Sequence, residues 1–333
     1  MRPRSRNEFE IAIICALPLG FGAVEALFDE TYDISGVAAY RKHPGDANWY
    51  RTGRIGRHNV VLTCVPEMGK RGAADVASSI QVSFPRANLA LLVGICGGVP
   101  FPSEQSEIIL GDVIISDKVV EYDFGRQYSD GFRPKYAARD IVGNRAIRSF
   151  LSGLKTRQMH EQLHGDLWEY QQTLQGHSDG RWQYPGAPQD QLFQPFYRHK
   201  HYHRHFDLGC MGSLIPRTRL GADSPKPYVH FGSLASGDTF MKSGEHRDGL
   251  TETGMVIGFE MEGAGVLDSL PCVIIKGVCD YADSHKNKTW QNYAAATAAS
   301  CTKVFLGYWV PSLSNGPAML PTAYDTSQKD AYE

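Results

Sequence analysis

The stretch VIIKGVCDYADSHKN, residues 273–287, runs as an apolar strand and then breaks into acids and a lysine. A few residues earlier VIGFEMEGAGVL, residues 256–267, does the same. Such unbroken runs suit strands covered on both faces, and in sheets flanked by helices the ligand crevice lies at the carboxyl ends of the strands. Glu260, Glu262 and Asp280 therefore stand where this kind of fold does its chemistry.

Outward from these two runs, further apolar runs occupy residues 9–17, 60–65, 89–94 and 113–116. Helical patterns fall between them at 23–28, 72–84 and 290–306. The alternation predicts a doubly wound α/β domain. Residues 159–227 are rich in Gln, His, Arg, Pro and Gly, and read as an insertion into this pattern rather than a second core. The expected organisation is one domain over 7–311, with the polar residues 312–333 as a flexible tail.

A chain of 333 residues with 42% hydrophobic content can bury one large core. Lys and Arg number 34 against 36 Asp and Glu, so the overall field is weak. It favours neither nucleic acid nor a membrane surface as a partner, and any anion site must be local. The seven cysteines are scattered and mostly embedded in apolar runs, which reads as reduced thiols. No stretch has the form of a secretory signal or approaches the ~20 apolar residues of a membrane span. The expectation is a cytoplasmic protein.

Several motifs are candidates for chemistry. LLVGICGGVP, residues 91–100, follows a buried strand and lets backbone approach a ligand at Gly94, Gly97 and Gly98, although such glycines often only turn the chain. Gly20 and Gly22 imitate the start of a dinucleotide fingerprint that fails at Glu25, and no P-loop motif occurs. Glu260 and Glu262 flank Met261, so in extended backbone their carboxylates share a face; Glu262 alternatively serves as a first-turn acid of a helix. Asp280 ends an apolar strand, where desolvation favours its protonated form; alternatively it is a helix cap or a partner for Lys276 or Lys286. HFGSLASGDTFM, residues 230–241, carries Phe240 beside a polar turn, placed to stack on a planar base or to fill core.

In this order and spacing, VGICGGVP, GDVIISD, SGDTFM, FEMEGAG and CDYADSHKN resemble the purine nucleoside phosphorylase and methylthioadenosine/adenosylhomocysteine nucleosidase superfamily. The resemblance covers about residues 9–306 and leans toward the phosphorylase-like domains of fungal signalling proteins that carry NTPase modules. It implies a nucleoside-phosphorylase-like three-layer α/β/α domain with a mixed central sheet, working without a cofactor or metal. Asp280 matches the acid that protonates purine N7, and Glu262 matches the residue that binds the ribose hydroxyls. Met261 would pack beneath the sugar, Phe240 stack on the base, and Met241 offer backbone groups to the purine edge. Cys96 and Gly97 would line the sugar side. The implied activity is cleavage of the N-glycosidic bond of a purine nucleoside or nucleotide of adenosine or ATP type.

Phosphorylases of this superfamily resemble R-V-G-S at the glycine turn, whereas this chain has Leu92-Val93-Gly94-Ile95, so the resemblance favours water over phosphate. The water-activating glutamate of the nucleosidases falls at Gly20, which leaves open Glu25 as a substitute, a slow unassisted water, or a domain that senses nucleosides without turnover. Arg198, His199, Lys200, His201, His203, Arg204 and His205 form a locally basic cluster able to hold a 5′-phosphate, or simply a solvated loop. The alternate histidines also have metal-ligand spacing, but the reading adopted is no metal. Sites of this superfamily are often completed between subunits, so a homo-oligomer, a dimer or larger, is expected, with the YDFGR segment near a contact.

Overall fold

The computed structural model describes residues 2–33, 38–103, 106–135, 137–140, 145–177, 179–198, 214–220 and 226–310. The apolar runs become strands, several of which continue past the run that announced them. In chain order the elements are β1 (Ile11–Cys15), α1 (Pro18–Glu25), β2 (Glu30–Thr31), β3 (Tyr50–Ile55), β4 (His58–Cys64), α2 (Lys70–Ser83), β5 (Leu89–Gly98) and β6 (Val113–Glu121). There follow β7 (Gly125–Tyr128), β8 (Gly131–Pro134), β9 (Ala137–Asp140), α3 (Arg145–Leu154), α4 (Arg157–Gln175) and β10 (Val229–Ser236). The chain then forms α5 (Gly244–Gly254), β11 (Val256–Glu260), α6 (Gly263–Leu267), β12 (Cys272–Asp280) and α7 (Gln291–Tyr308).

The central sheet runs β11-β10-β6-β12-β5-β1-β4-β3-β2, with β9 paired to β6. It is mixed: β1 pairs in parallel with β4 and β5, and β12 with β5, while β12 meets β6 antiparallel. β11 bends back and pairs antiparallel with β5 at Gly97 and Gly98. Five strands, β5, β12, β6, β10 and β11, thereby close on one another.

Successive residues of β12 face opposite sides of the sheet. A Cβ on Gly277 would strike the Ala294 carbonyl of α7, whereas its neighbour Lys276 reaches Glu262 at the start of α6. The two helices therefore cover opposite faces, α7 with α1 and α4 on one and α6 with α2 on the other. This is the expected α/β/α layering.

Two sequence boundaries moved. The first helix begins at Pro18, not at residue 23, with the proline in its first turn, so Gly20 lies inside a helix. The inserted region, read as lacking a core of its own, supplies α4, whose Leu163, Leu167 and Leu174 are buried on one face. α4 packs on α7, so the region adds to the single core.

Candidate active site

The acid end of β12 and the acid end of β11 meet across β5. Gly97 of β5 pairs with Asp280 on one side and Phe259 on the other. A side chain at Gly97 would press on Asp280 Oδ1 at 2.9 Å, so the glycine is what lets the two ends close in. Between them lies a cavity of about 50 Å³ lined by Gly97, Phe240, Met241, Glu260, Met261 and Asp280, among others.

Asp280 is buried, and its carboxyl is used on both oxygens. Oδ1 accepts the Ala282 amide at 2.9 Å, closing an aspartate turn in which Ala282 takes the left-handed φ of 54°. Non-glycine residues rarely adopt this conformation, which suits a turn held for function. Oδ2 faces the Cys279 thiol at 3.4 Å and the Lys286 ammonium at 3.4 Å. Of the roles that the sequence left open for Asp280, pairing with Lys286 is realised and pairing with Lys276 is not.

Lys276 turns instead to the two glutamates at the end of β11. Its Nζ donates to Glu262 Oε2 at 3.0 Å and lies 3.6 Å from Glu260 Oε2, all three side chains being buried. Burial alone would lower the lysine pKa, but the two carboxylates outweigh it and hold the ammonium charged. Burial raises the Glu260 pKa, against the pull of Lys276. Glu260 also accepts the Glu262 and Gly263 amides at 3.0 and 2.9 Å. The two glutamates thus converge as the sequence suggested. Glu262 stands at the N-cap position of α6 without capping it through its side chain. Glu260, not Glu262, lines the cavity wall.

Phe240 and Met241 sit in the turn after β10, which is tied down at each residue before them. The Gly237 amide donates to the Glu260 carbonyl, the Asp238 amide to Asp123 Oδ2 at 2.7 Å, and the Tyr122 hydroxyl to the Thr239 carbonyl at 2.8 Å. Asp238 Oδ1 in turn accepts the Lys70 amide at the start of α2, and Lys70 Nζ binds Glu121 and Asp123 at 2.7 Å each. At the end of this anchored turn Phe240 is 53% exposed at the cavity rim, while Met241 is buried.

The remaining candidates lie further out. Cys96 is buried on β5 beside Val278 and off the cavity lining, and burial raises its thiol pKa, as it does for Cys279. Both stay protonated and are poor nucleophiles. Gly20 is buried, and a Cβ there would touch nothing closer than 3.7 Å. Glu25 does not replace the carboxylate missing at Gly20. Five residues on, it points about 140° round the helix, and its Oε1 accepts Arg51 Nε at 2.7 Å. Arg198 is exposed, 4.0 Å from Glu245. Lys200, with His199, His201, His203, Arg204 and His205, falls outside the described residues.

Sequence reasoning missed the part played by Lys276. The signal was present as a single lysine inside VIIKGVCD, since a charge in a fully buried strand requires partners. Among the described residues, no helix is long and apolar enough to cross a membrane.

Comparison with known proteins gives the same outline. The chain is 32% identical over 309 residues to a nucleotide-binding leucine-rich repeat (NLR)-like protein of Hyaloscypha variabilis, covering 90% of this chain but 29% of that protein. It is 22% identical over 302 residues to a 5′-methylthioadenosine/S-adenosylhomocysteine nucleosidase of Mycobacterium bovis, covering 89% and 95% of the two. Helicobacter pylori 5′-methylthioadenosine/S-adenosylhomocysteine nucleosidase superposes with a TM-score of 0.55 at 16% identity, over 90% of this chain and 99% of that one. Futalosine hydrolase of the same organism gives 0.54 at 16% identity, over 91% and 99%. Residues 10–306 match the phosphorylase superfamily, and the chain belongs to that family.

Proposed function

We propose that the chain hydrolyses the N-glycosidic bond of a purine nucleoside or nucleotide, of adenosine or ATP type, and releases the free base. The observation that carries this reading is the pairing of Gly97 with both Asp280 and Phe259, which sets Asp280 and Glu260 around one cavity, with Glu262 joined to Glu260 through their shared Lys276. As the C1′–N9 bond lengthens, the sugar gains positive charge and the purine negative charge. Asp280 protonates N7, while Glu262, steadied by Lys276, grips the ribose hydroxyls more strongly as the cation forms. Phe240 stacks on the base.

Water as the nucleophile is supported by Leu92 and Ile95 at the positions where phosphorylases resemble Arg and Ser, and by relatives named as nucleosidases. One observation favours a second reading. Gly20 brings no carboxylate to the water, which suits a domain that senses nucleosides without turning them over. A homo-oligomer is part of the proposal, supported by Phe124, Tyr128 and Phe132, exposed on and beside the β7–β8 hairpin.

The test is chromatography of adenosine, inosine, methylthioadenosine and ATP incubated with wild type and Asp280→Asn, with and without phosphate. Free base without phosphate, slowed about 10²–10⁴-fold in the variant, is expected. Ribose 1-phosphate formed only with phosphate makes it a phosphorylase, and binding without release makes it a sensor. Equal turnover of ATP by an Arg198/Lys200/Arg204 triple alanine variant would remove the phosphate role of the basic cluster.

A further inference from the structure

Among the described residues Lys286 is the cation nearest the purine-side acid, and neither the sugar-gripping acids nor the stacking ring accounts for it. Its Nζ lies 3.4 Å from Asp280 Oδ2 and 5.9 Å from the centre of the Phe240 ring. Lys286 lines the cavity that holds Glu260 and Met261, and a second, smaller one behind Asp280 that includes Gln189, Phe193 and His285. Its side chain is one quarter exposed. The other nearby groups are committed elsewhere. Asp283 is buried and accepts the His285 amide, and Arg247 binds Asp248 and the Tyr281 carbonyl.

Resting on the hydrolytic reading, we infer that Lys286 is a further catalytic residue, whose ammonium stabilises the negative charge that develops on the departing purine. A base stacked on Phe240 with N7 at Asp280 lies beside the Lys286 ammonium, because the lysine spans those two groups. The bond electrons of C1′–N9 pass to the purine, Asp280 gives its proton to N7, and water adds to C1′ and releases a proton that restores Asp280. Lys286 gains and loses no proton. It contributes a full positive charge that matters more as charge builds on the base than in the bound substrate, the condition for accelerating the step.

The experiment uses the full chain as wild type, Lys286→Met and Lys286→Arg, with two readouts. In turnover, Lys286→Met lowers kcat about 10–100-fold with a smaller change in KM, and Lys286→Arg recovers much of it. In calorimetry, adenine is compared with 8-azaadenine, a purine analogue that ionises near neutrality, from mildly acidic to mildly basic pH. Wild type comes to prefer the analogue as it becomes anionic, and Lys286→Met loses about tenfold or more of that preference. A variant that keeps both kcat and the anion preference within about twofold overturns the inference. Wild type that binds purines but releases none removes the hydrolytic reading, while the calorimetric arm still decides whether Lys286 recognises an anionic base. Wild type that neither binds nor releases base overturns both.

Discussion

Lys276 Nζ sits 3.0 Å from Glu262 Oε2 and 3.6 Å from Glu260 Oε2, one buried cation shared by two buried carboxylates. Removing the lysine strands both acids. Lys276→Met is expected to cost about 3–5 kcal/mol in urea unfolding, the range for breaking a buried ion pair from one side. Adding Glu262→Gln to it returns part of that loss, since one fewer charge is left unpaired, but does not restore base release. A single variant as stable as wild type refutes the shared arrangement.

Gly20 offers the opposite kind of test. A Cβ there meets only ordinary contacts, the Gly94 and Val93 backbone at 3.7 Å and Cys15 at 3.8 Å. The Cβ of Gly20→Glu fits without a clash, but its carboxylate enters a buried position, so Tm is expected to fall, while the hydrolytic kcat rises by about 10²-fold, the lower end of what a positioned general base gives. Unchanged adenine release from a folded variant counts against water activation as the missing element.

Asp238 ties the Phe240 turn to the first turn of α2 through the Lys70 amide and to Asp123 through its own amide. Asp238→Ala frees the turn without touching Asp280. KM is expected to rise about tenfold with kcat changed far less, the pattern of lost substrate positioning. A fall in kcat alone would place Asp238 in the chemical step instead.

His160 and His164 of α4 clamp Val229 at the start of β10: the Val229 amide donates to His164 Nε2 at 2.9 Å, and His160 Nε2 bonds its carbonyl at 2.8 Å. Burial, with the neighbouring His160, lowers the His164 pKa to about 4 from 6.5. The folded protein thus resists taking up a proton that the unfolded chain accepts, so stability is full above about pH 6.5 and declines toward pH 4. The part-exposed ring is screened by water, and about 1–2 kcal/mol is expected. Urea titrations of wild type and His164→Gln across this window should differ by that amount at the acid end and converge at neutral pH.

The fold was legible because buried strands announce themselves: the runs at 273–278 and 256–259 carry no polar residue except Lys276, and they became β12 and β11. That Asp280 and Glu260 stand at strand ends was legible because each ends such a run, and the structure brings both to one cavity. Partnerships were not. Nothing local says whether Lys276 turns to Asp280 or to Glu262, since the choice depends on which face of β12 each residue occupies and on what covers that face. α4 was hidden for a related reason: its apolar face is three leucines wide in an otherwise polar stretch, and it needs α7 as a partner to make sense. The apolar pattern marks the first helix only from residue 23, whereas Pro18 opens it five residues earlier and takes in Gly20.

The return of β11 onto β5 makes the five strands a hoop rather than an open ribbon. A ribbon's last strand can slide by a residue and lose partners on one side only; a strand in a hoop must break with β10 and β5 together. The spacing between the two acid ends is consequently fixed by the scaffold. Natural variation in what the pocket accepts should collect outside the hoop, in the Phe240 turn, where residues can change without resetting the distance between Glu260 and Asp280.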